Sequence, residues 1–286
     1  MTRIVCLNGE FVPEDEARIP IMDRGLLFAD AIYEGMGVLD GGIVDVRRHL
    51  ARLRRSLAEV GIPEPHTEEE LLGILMELVR RNDVDEGFLY LHVTRGVAER
   101  SYVPAAGLIP TVFGFTQPLC GAPADAEPAG LTMSSQPDLR WARRDIKTTN
   151  LLGQVLANWG ASEAGADEAL LVAPDGTVTE GGSVSFFPVV AGTVLVRPLS
   201  QDILPGVTRR TLLEVLEAQG IPIDECTYTL GEVLAADEAM ITGASSYVDP
   251  IVAIDGQAIG TGLPGNLTLH LRSSYLALVR SRLRSD

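Results

Sequence analysis

Apolar residues recur every three or four positions over 46–61, where Leu50, Leu53, Leu57 and Val60 share one face. This predicts a helix, with Gly61 placed to stop it. A second helix is expected over 68–82, capped by Thr67, with Glu68, Glu69 and Glu70 in the first turn, where negative charge suits the helix dipole. That acidic triplet reads as a solvated helix start, not a metal site. The period then changes. GFLYLHVTRG sets Leu89, Leu91 and Val93 against Tyr90, His92 and Thr94, the alternation of a strand. Near the start, IVCLNGEFV is strand-like, with a hairpin turn at Asn8-Gly9. In the second half the pattern predicts a helix over 149–164, strands near 168–173 and 184–196, a helix over 207–219 closed by Gly220, and a strand near 238–242. The stretch PLCGAPADAEPAG, 118–130, is rich in Pro, Ala and Gly and is the candidate connection between domains. The expected organisation is therefore an N-terminal α/β domain over 1–118, a linker over 119–130 and a C-terminal α/β domain over 131–286 that carries Lys147. Helices and strands mix in both halves, giving an α/β (α+β) protein of two domains.

Bulk properties narrow the function classes. At 286 residues the chain can bury a large core. No apolar run approaches the roughly 20 residues that span a bilayer, and the N-terminus lacks a long apolar stretch, so a cytoplasmic protein with no membrane partner is expected. The formal charge of −16 argues against nucleic acid, whose phosphates would repel it. Cys6, Cys120 and Cys226 are scattered and odd in number, suggesting neither a disulfide framework nor a metal site. One count is sharper. Of 23 basic residues, 22 are arginine and Lys147 is the only lysine. Genome composition can trade lysine for arginine wherever charge alone matters. Arginine cannot act as an amine nucleophile and lysine can, so the survivor is a candidate for covalent chemistry.

Four segments carry candidate chemistry. Lys147 lies in RRDIKTTNLLGQVLANW, beside Ile146 and at the mouth of a helix with apolar Leu151, Leu152, Val155 and Leu156; Thr148, Thr149 or Asn150 would cap it. A partly dry setting of this kind suits an amine that forms imines. In DGTVTEGGSVSFF, Asp175-Gly176 makes a turn and Glu180 follows a short strand, leading into a Gly-Gly pair; a rigid carboxylate beside a heteroaromatic nitrogen keeps that nitrogen protonated. In ILPGVTRRTLLEVL, Gly206 precedes the amides of Val207 and Thr208 at a helix start, a phosphate-binding arrangement. Five arginines lie between Arg47 and Arg55; Arg48 and Arg52 are four apart and share a face, and spacing does not say which could reach a phosphate. Taken singly, each segment has an ordinary structural explanation.

Together, and in this order, they resemble the class IV pyridoxal-phosphate aminotransferases, most closely the D-amino acid aminotransferases. The likeness runs from DRGLLFADAIYEG through HLARL, VTRGVAER, DLRWARRDIKTTNLLGQVLA, VTEGGS and ILPGVTR to ADEAMIT, nearly the whole chain. It implies a two-domain fold type IV enzyme that holds pyridoxal 5'-phosphate between its domains and works as a homodimer, with partner residues completing the pocket. By this resemblance Lys147 holds the cofactor as a Schiff base and shuttles the α-proton, and Glu180 pairs with the pyridine nitrogen. Arg52, with the Val207 and Thr208 amides, clamps the phosphate, and Leu204 packs on the ring. Tyr33 lines the substrate pocket, and Arg100 grips the substrate carboxylate. The implied reaction is ping-pong transamination between a D-amino acid, such as D-alanine or D-glutamate, and a 2-keto acid, pyruvate or 2-oxoglutarate.

Several positions depart from the pattern. A histidine that usually follows the carboxylate arginine by two positions is Tyr102 here, which donates a hydrogen bond but brings no charge. Ala244 stands where a hydroxyl residue often touches the phosphate, with Ser245 as its substitute, and Ser185 replaces a usual asparagine. The Arg-x-Tyr arrangement is shared with aminodeoxychorismate lyases, whereas Tyr33-Glu34 and NLLGQVLA look like the aminotransferases. His92 stands where the branched-chain L-enzymes usually carry an arginine, and reads as a packed strand residue. An (R)-amine or branched-chain transaminase, the lyase, and a non-catalytic cofactor-binding homologue are the alternatives.

Overall fold

The computed structural model describes residues 2–118 and 123–285, and the chain divides into two compact units. One unit contains 2–118 and 146–150, the other 123–145 and 151–285. The first is built from β1 (Ile4–Leu7), β2 (Glu10–Pro13), α1 (Arg24–Phe28), β3 (Ala31–Leu39), β4 (Gly42–Ile43), α2 (Val46–Val60), α3 (Glu68–Arg81), β5 (Gly87–Thr94) and β6 (Val112–Pro118). Its six strands form an antiparallel sheet in the order β2-β1-β6-β5-β3-β4. The predicted hairpin turn is present, with Asn8 at φ 52° and Gly9 at φ 87°, the left-handed pair that a tight turn between twisted strands requires. α2 ends where Gly61 adopts φ 64°, and Thr67 starts α3 with a full capping box to Glu70.

The two faces of this sheet differ in character. Leu89, Leu91 and Val93 are fully buried, and the helices cover their side: Leu78 of α3 and Leu91 of β5 both reach the space above Gly114. Leu50, Leu53 and Leu57 of α2 complete that core. The alternate residues of β3, β5 and β6 form the opposite face, which is aromatic and only half-buried.

The second unit comprises β7 (Leu131–Pro137), α4 (Leu152–Glu163), β8 (Glu168–Val172), β9 (Val178–Gly181), β10 (Ser185–Val190), β11 (Thr193–Val196), α5 (Val207–Gln219), β12 (Ile223–Glu225), α6 (Leu230–Leu234), β13 (Glu238–Gly243), β14 (Tyr247–Ile254), β15 (Gln257–Ala258) and α7 (Asn266–Leu283). Its strands run in the order β12-β11-β10-β13-β14-β7-β8-β9, with β15 on β14. The β14-β7, β7-β8 and β11-β12 pairs are parallel and the rest antiparallel, so the sheet is mixed. Its core gathers Leu170, Val178, Phe186, Ile241 and Ile254 around Tyr228, whose hydroxyl donates to the Phe186 carbonyl at 2.8 Å. Among the described residues no helix is long and apolar enough to cross a membrane.

Four expectations are corrected. The strand expected over 184–196 is two strands, turned at Ala191 and Gly192, both at positive φ. The helix expected from 149 starts at Leu152, and neither Thr148, Thr149 nor Asn150 caps it; the N-cap is Leu151. Those residues are instead extended, because their backbone pairs with β3: Tyr33 N–H donates to the Lys147 carbonyl at 3.0 Å and Thr149 N–H to the Ala31 carbonyl at 3.2 Å. Lys147 thus belongs with the first unit, and the apolar start of α4 is not buried, since Leu152 is 70 % and Val155 54 % exposed. The fourth concerns the linker. Residues 119–122, with Cys120, lie outside the described residues. Over 123–126 the chain is already fastened to α7, by Arg272 bonding the Pro123 and Ala124 carbonyls and Arg280 pairing with Asp125.

Candidate active site

In the first unit, DRGLLFADAIYEG folds as an anchor followed by a strand. Asp23 caps α1, and its carboxylate accepts from Thr94 at 3.0 Å and Thr111 at 2.7 Å, fastening α1 to the sheet. β3 then sends Tyr33 to the aromatic face and Glu34 to the helix-covered face, as strand alternation requires. Lys147, held by β3 pairing, places Nζ 3.3 Å from the Tyr33 hydroxyl and 4.3 Å from the centre of its ring. The lysine predicted to carry chemistry and the tyrosine predicted to line the pocket are therefore neighbours.

Glu34 is fully buried. Arg52 donates to its two oxygens from Nε at 2.8 Å and Nη2 at 2.7 Å, and His49 Nδ1 lies at 2.7 Å. Burial alone would raise the Glu34 carboxyl, but the Arg52 charge and these hydrogen bonds outweigh it and hold it at about 2. Burial pushes His49 down, only partly offset by Glu34. Among the five arginines of α2, Arg52 is the buried one; Arg47 and Arg54 pair with the acids at the start of α3, and Arg48 sits by Asp45. Two guanidinium nitrogens of Arg52 are engaged by Glu34.

Arg100 and Tyr102 lie on an exposed loop. The Arg100 guanidinium sits over the rings of Phe28 at 5.3 Å and Tyr102 at 5.6 Å, and Tyr102 is 80 % exposed. Beneath them Arg24, buried and paired with Asp30 at 2.8 Å, donates to the carbonyls of Ser101 and Tyr102 and fixes the loop backbone. Sequence reasoning misses Arg24. Its place one residue after a capping aspartate is the available signal.

In the second unit, Glu180 lies inside β9, not after it, and is buried. It accepts from Arg140 and from the Leu204 amide, at 3.1 Å to one oxygen. Arg140 also chelates Asp138, which accepts from the Thr179 hydroxyl at 2.8 Å. Burial raises the Glu180 carboxyl and Arg140 only partly opposes it. For Asp138 burial works in the same sense, but Arg140 and Thr179 win and lower it. Sequence reasoning misses Arg140 too, although Asp-x-Arg on extended chain puts both side chains on one side.

α5 begins at Gly206 with no side-chain cap, so the amides of Val207 and Thr208 have no partner of that kind. A β-carbon on Gly206 would come within 2.8 Å of Ser185 Oγ, so any other residue here would have to displace that hydroxyl. The Thr242 hydroxyl, at the end of β13, is buried with no hydrogen-bond partner. Ser245 follows in the half-buried turn between β13 and β14, closed by Tyr247 at φ 54°, a rare conformation for a tyrosine that often marks functional turns. An uncapped helix start, an orphaned hydroxyl and an arginine-gripped carboxylate fit a ligand with a phosphate and a basic ring nitrogen; the first unit supplies an amine next to a phenol.

The chain is 39 % identical to a D-alanine aminotransferase of Bacillus licheniformis, over 94 % of this chain and 95 % of that protein. It is 35 % identical to a D-alanine aminotransferase of Staphylococcus haemolyticus over 99 % of both. Among solved structures, a T.th. branched-chain amino acid aminotransferase with pyridoxamine 5'-phosphate superposes with a TM-score of 0.91, at 26 % identity over 99 % of this chain and 95 % of that one. The signature of the amino-transferase class IV family matches residues 31–254, from the first residue of β3 to the last of β14. The chain is an aminotransferase and belongs to class IV.

Proposed function

We propose that this enzyme uses pyridoxal 5'-phosphate to move the amino group of a D-amino acid to a 2-keto acid, pyruvate or 2-oxoglutarate. The observation that carries the reading is the position of the only lysine, with Nζ at the Tyr33 hydroxyl and its backbone stitched to β3. The D-configuration is supported by the two D-alanine aminotransferase relatives. When bound, the cofactor supplies a pyridine ring that delocalises the electrons left at the α-carbon. With the cofactor bound, the Lys147 amine would hold it covalently and, when free, would serve as the base that takes up and gives back the α-proton. The Tyr33 hydroxyl accepts a hydrogen bond from Nζ and keeps the amine oriented. Glu180, whose carboxylate is aimed by Arg140 and the Leu204 amide, would keep the ring nitrogen protonated, and Leu204 would supply an apolar surface for the ring. The Val207 and Thr208 amides, the Ser245 hydroxyl and the charge of Arg52 hold the phosphate.

Arg100 and Tyr102 bind the substrate carboxylate. Because their loop points outward, and because Ile21, Leu26, Val103 and Ile109 of the same unit are exposed beside it, we assign the working form as a homodimer that shares this loop. Lys147→Arg keeps the charge and removes the amine chemistry; it should abolish both the visible absorbance of the loaded enzyme and its turnover. Full activity in that variant would end the reading. Paired D- and L-donors in half-reactions separate it from a branched-chain L-enzyme, and release of pyruvate from aminodeoxychorismate without added keto acid would indicate the lyase instead.

A further inference from the structure

The aromatic face of the first sheet begins at the reactive amine. Lys147 Nζ lies over Tyr33, the Tyr33 ring stacks on Tyr90 at 5.4 Å, and Tyr90 stacks on Phe115 at 4.9 Å. Beside this row His92 stacks on Phe113 at 4.4 Å, and its Nδ1 meets the Tyr90 hydroxyl at 3.0 Å. Phe88 completes the surface in an unusual way. It pairs across the ladder with Gly37, yet its ring leans over the neighbouring Gly35, where an added β-carbon would come within 2.5 Å of its tip. Two glycines on one face of β3 leave room that the phenyl ring occupies. The helix-covered side of the same strands holds the core.

The surface is also uncharged. Burial lowers His92 to about 4, partly opposed by Asp23, so it is neutral at pH 7, and burial raises the Tyr90 phenol, so it stays protonated. Arg3 approaches Phe115 at the far end, 5.5 Å from the ring centre, but is held by Glu14.

We infer that this aromatic row selects the amino donor by its side chain, favouring D-amino acids with aromatic or long apolar side chains over those with a carboxylate. The inference rests on the D-amino acid reading above and deepens it. A planar side chain gains stacking and buried area along the row, whereas an acidic one loses its hydration and finds no cation in exchange. D-glutamate, a donor expected from resemblance, becomes a poor one, and 2-oxoglutarate, which would become D-glutamate in the same site, becomes the weaker of the two acceptors beside pyruvate.

The test measures kcat/KM of the loaded enzyme for D-phenylalanine, D-alanine and D-glutamate, with binding of 3-phenylpropionate against glutarate followed by the cofactor absorbance at equilibrium. D-phenylalanine should exceed D-glutamate by ~10-fold or more, the range one apolar pocket contact supplies. Phe88→Ala should lower the ratio of D-phenylalanine to D-alanine by a similar factor, and Phe88→Leu, which keeps an apolar surface, by less. Preference for D-glutamate, tighter binding of glutarate, or a ratio unmoved by both variants would overturn the inference while leaving the D-amino acid reading intact. If no D-donor converts the cofactor at all, that reading fails and this inference falls with it.

Discussion

Glu34 and Glu180 are both buried carboxylates bound by an arginine, one in each unit, and they are held to opposite effect. Glu34 has Arg52 through two hydrogen bonds and His49 besides, and its carboxyl sits at about 2. Glu180 shares Arg140 with Asp138 and otherwise accepts from one amide, and burial raises it. A carboxylate with its own guanidinium is locked as a charge. One that shares a guanidinium with a second acid remains responsive to a new partner. The first arrangement suits a structural brace that aligns Arg52, the second the role proposed for Glu180 beside a basic ring nitrogen.

The comparison breaks most sharply at Arg52. Arg52→Met leaves Glu34 buried and without its guanidinium and should cost about 3–5 kcal/mol in urea unfolding of the cofactor-free protein. A loss under about 1 kcal/mol would show that Glu34 is not locked. The same pair predicts a pH signature. Because the Glu34 carboxyl is lowered from an ordinary 4.5 to about 2, its stabilisation is complete above pH 4.5 and disappears as the pH falls toward 2. The stability gap between wild type and Glu34→Gln should therefore narrow across that interval. Arg140→Met should cost less, about 2–3 kcal/mol, because Glu180 can respond by taking up a proton; a fall as steep as that of Arg52→Met would erase the distinction. Thr179→Val, which removes the hydroxyl bond to Asp138 and the longer ones with the Leu171 carbonyl and Arg140, should cost about 1 kcal/mol by thermal or urea midpoint.

Elements with local signals are legible in the sequence. α3 carries its capping box, α2 and α5 end on left-handed glycines, and β5 alternates cleanly because one of its faces is core. β3 is obscure, since Gly35 and Gly37 interrupt its alternation on the aromatic face. α7 begins at Gly265 without a side-chain cap and offers no start signal. The Lys147 segment reads as a helix mouth in sequence because the contacts that determine it come from β3, more than a hundred residues away. For the site, Lys147 and Tyr33 are both expected from sequence and are neighbours, whereas the arginine partners of Glu34 and Glu180 depend on tertiary pairing that no local spacing encodes.

The brief return of 146–150 to the first unit has a consequence for how such a protein can be divided. A gene severed after residue 118 would encode the aromatic row, Tyr33 and the Glu34 brace without Lys147, the proposed nucleophile beside them. Neither fragment alone could inherit the chemistry, so recombination between distant relatives should be tolerated only where the exchanged stretch keeps β3 and its five-residue companion from the same parent.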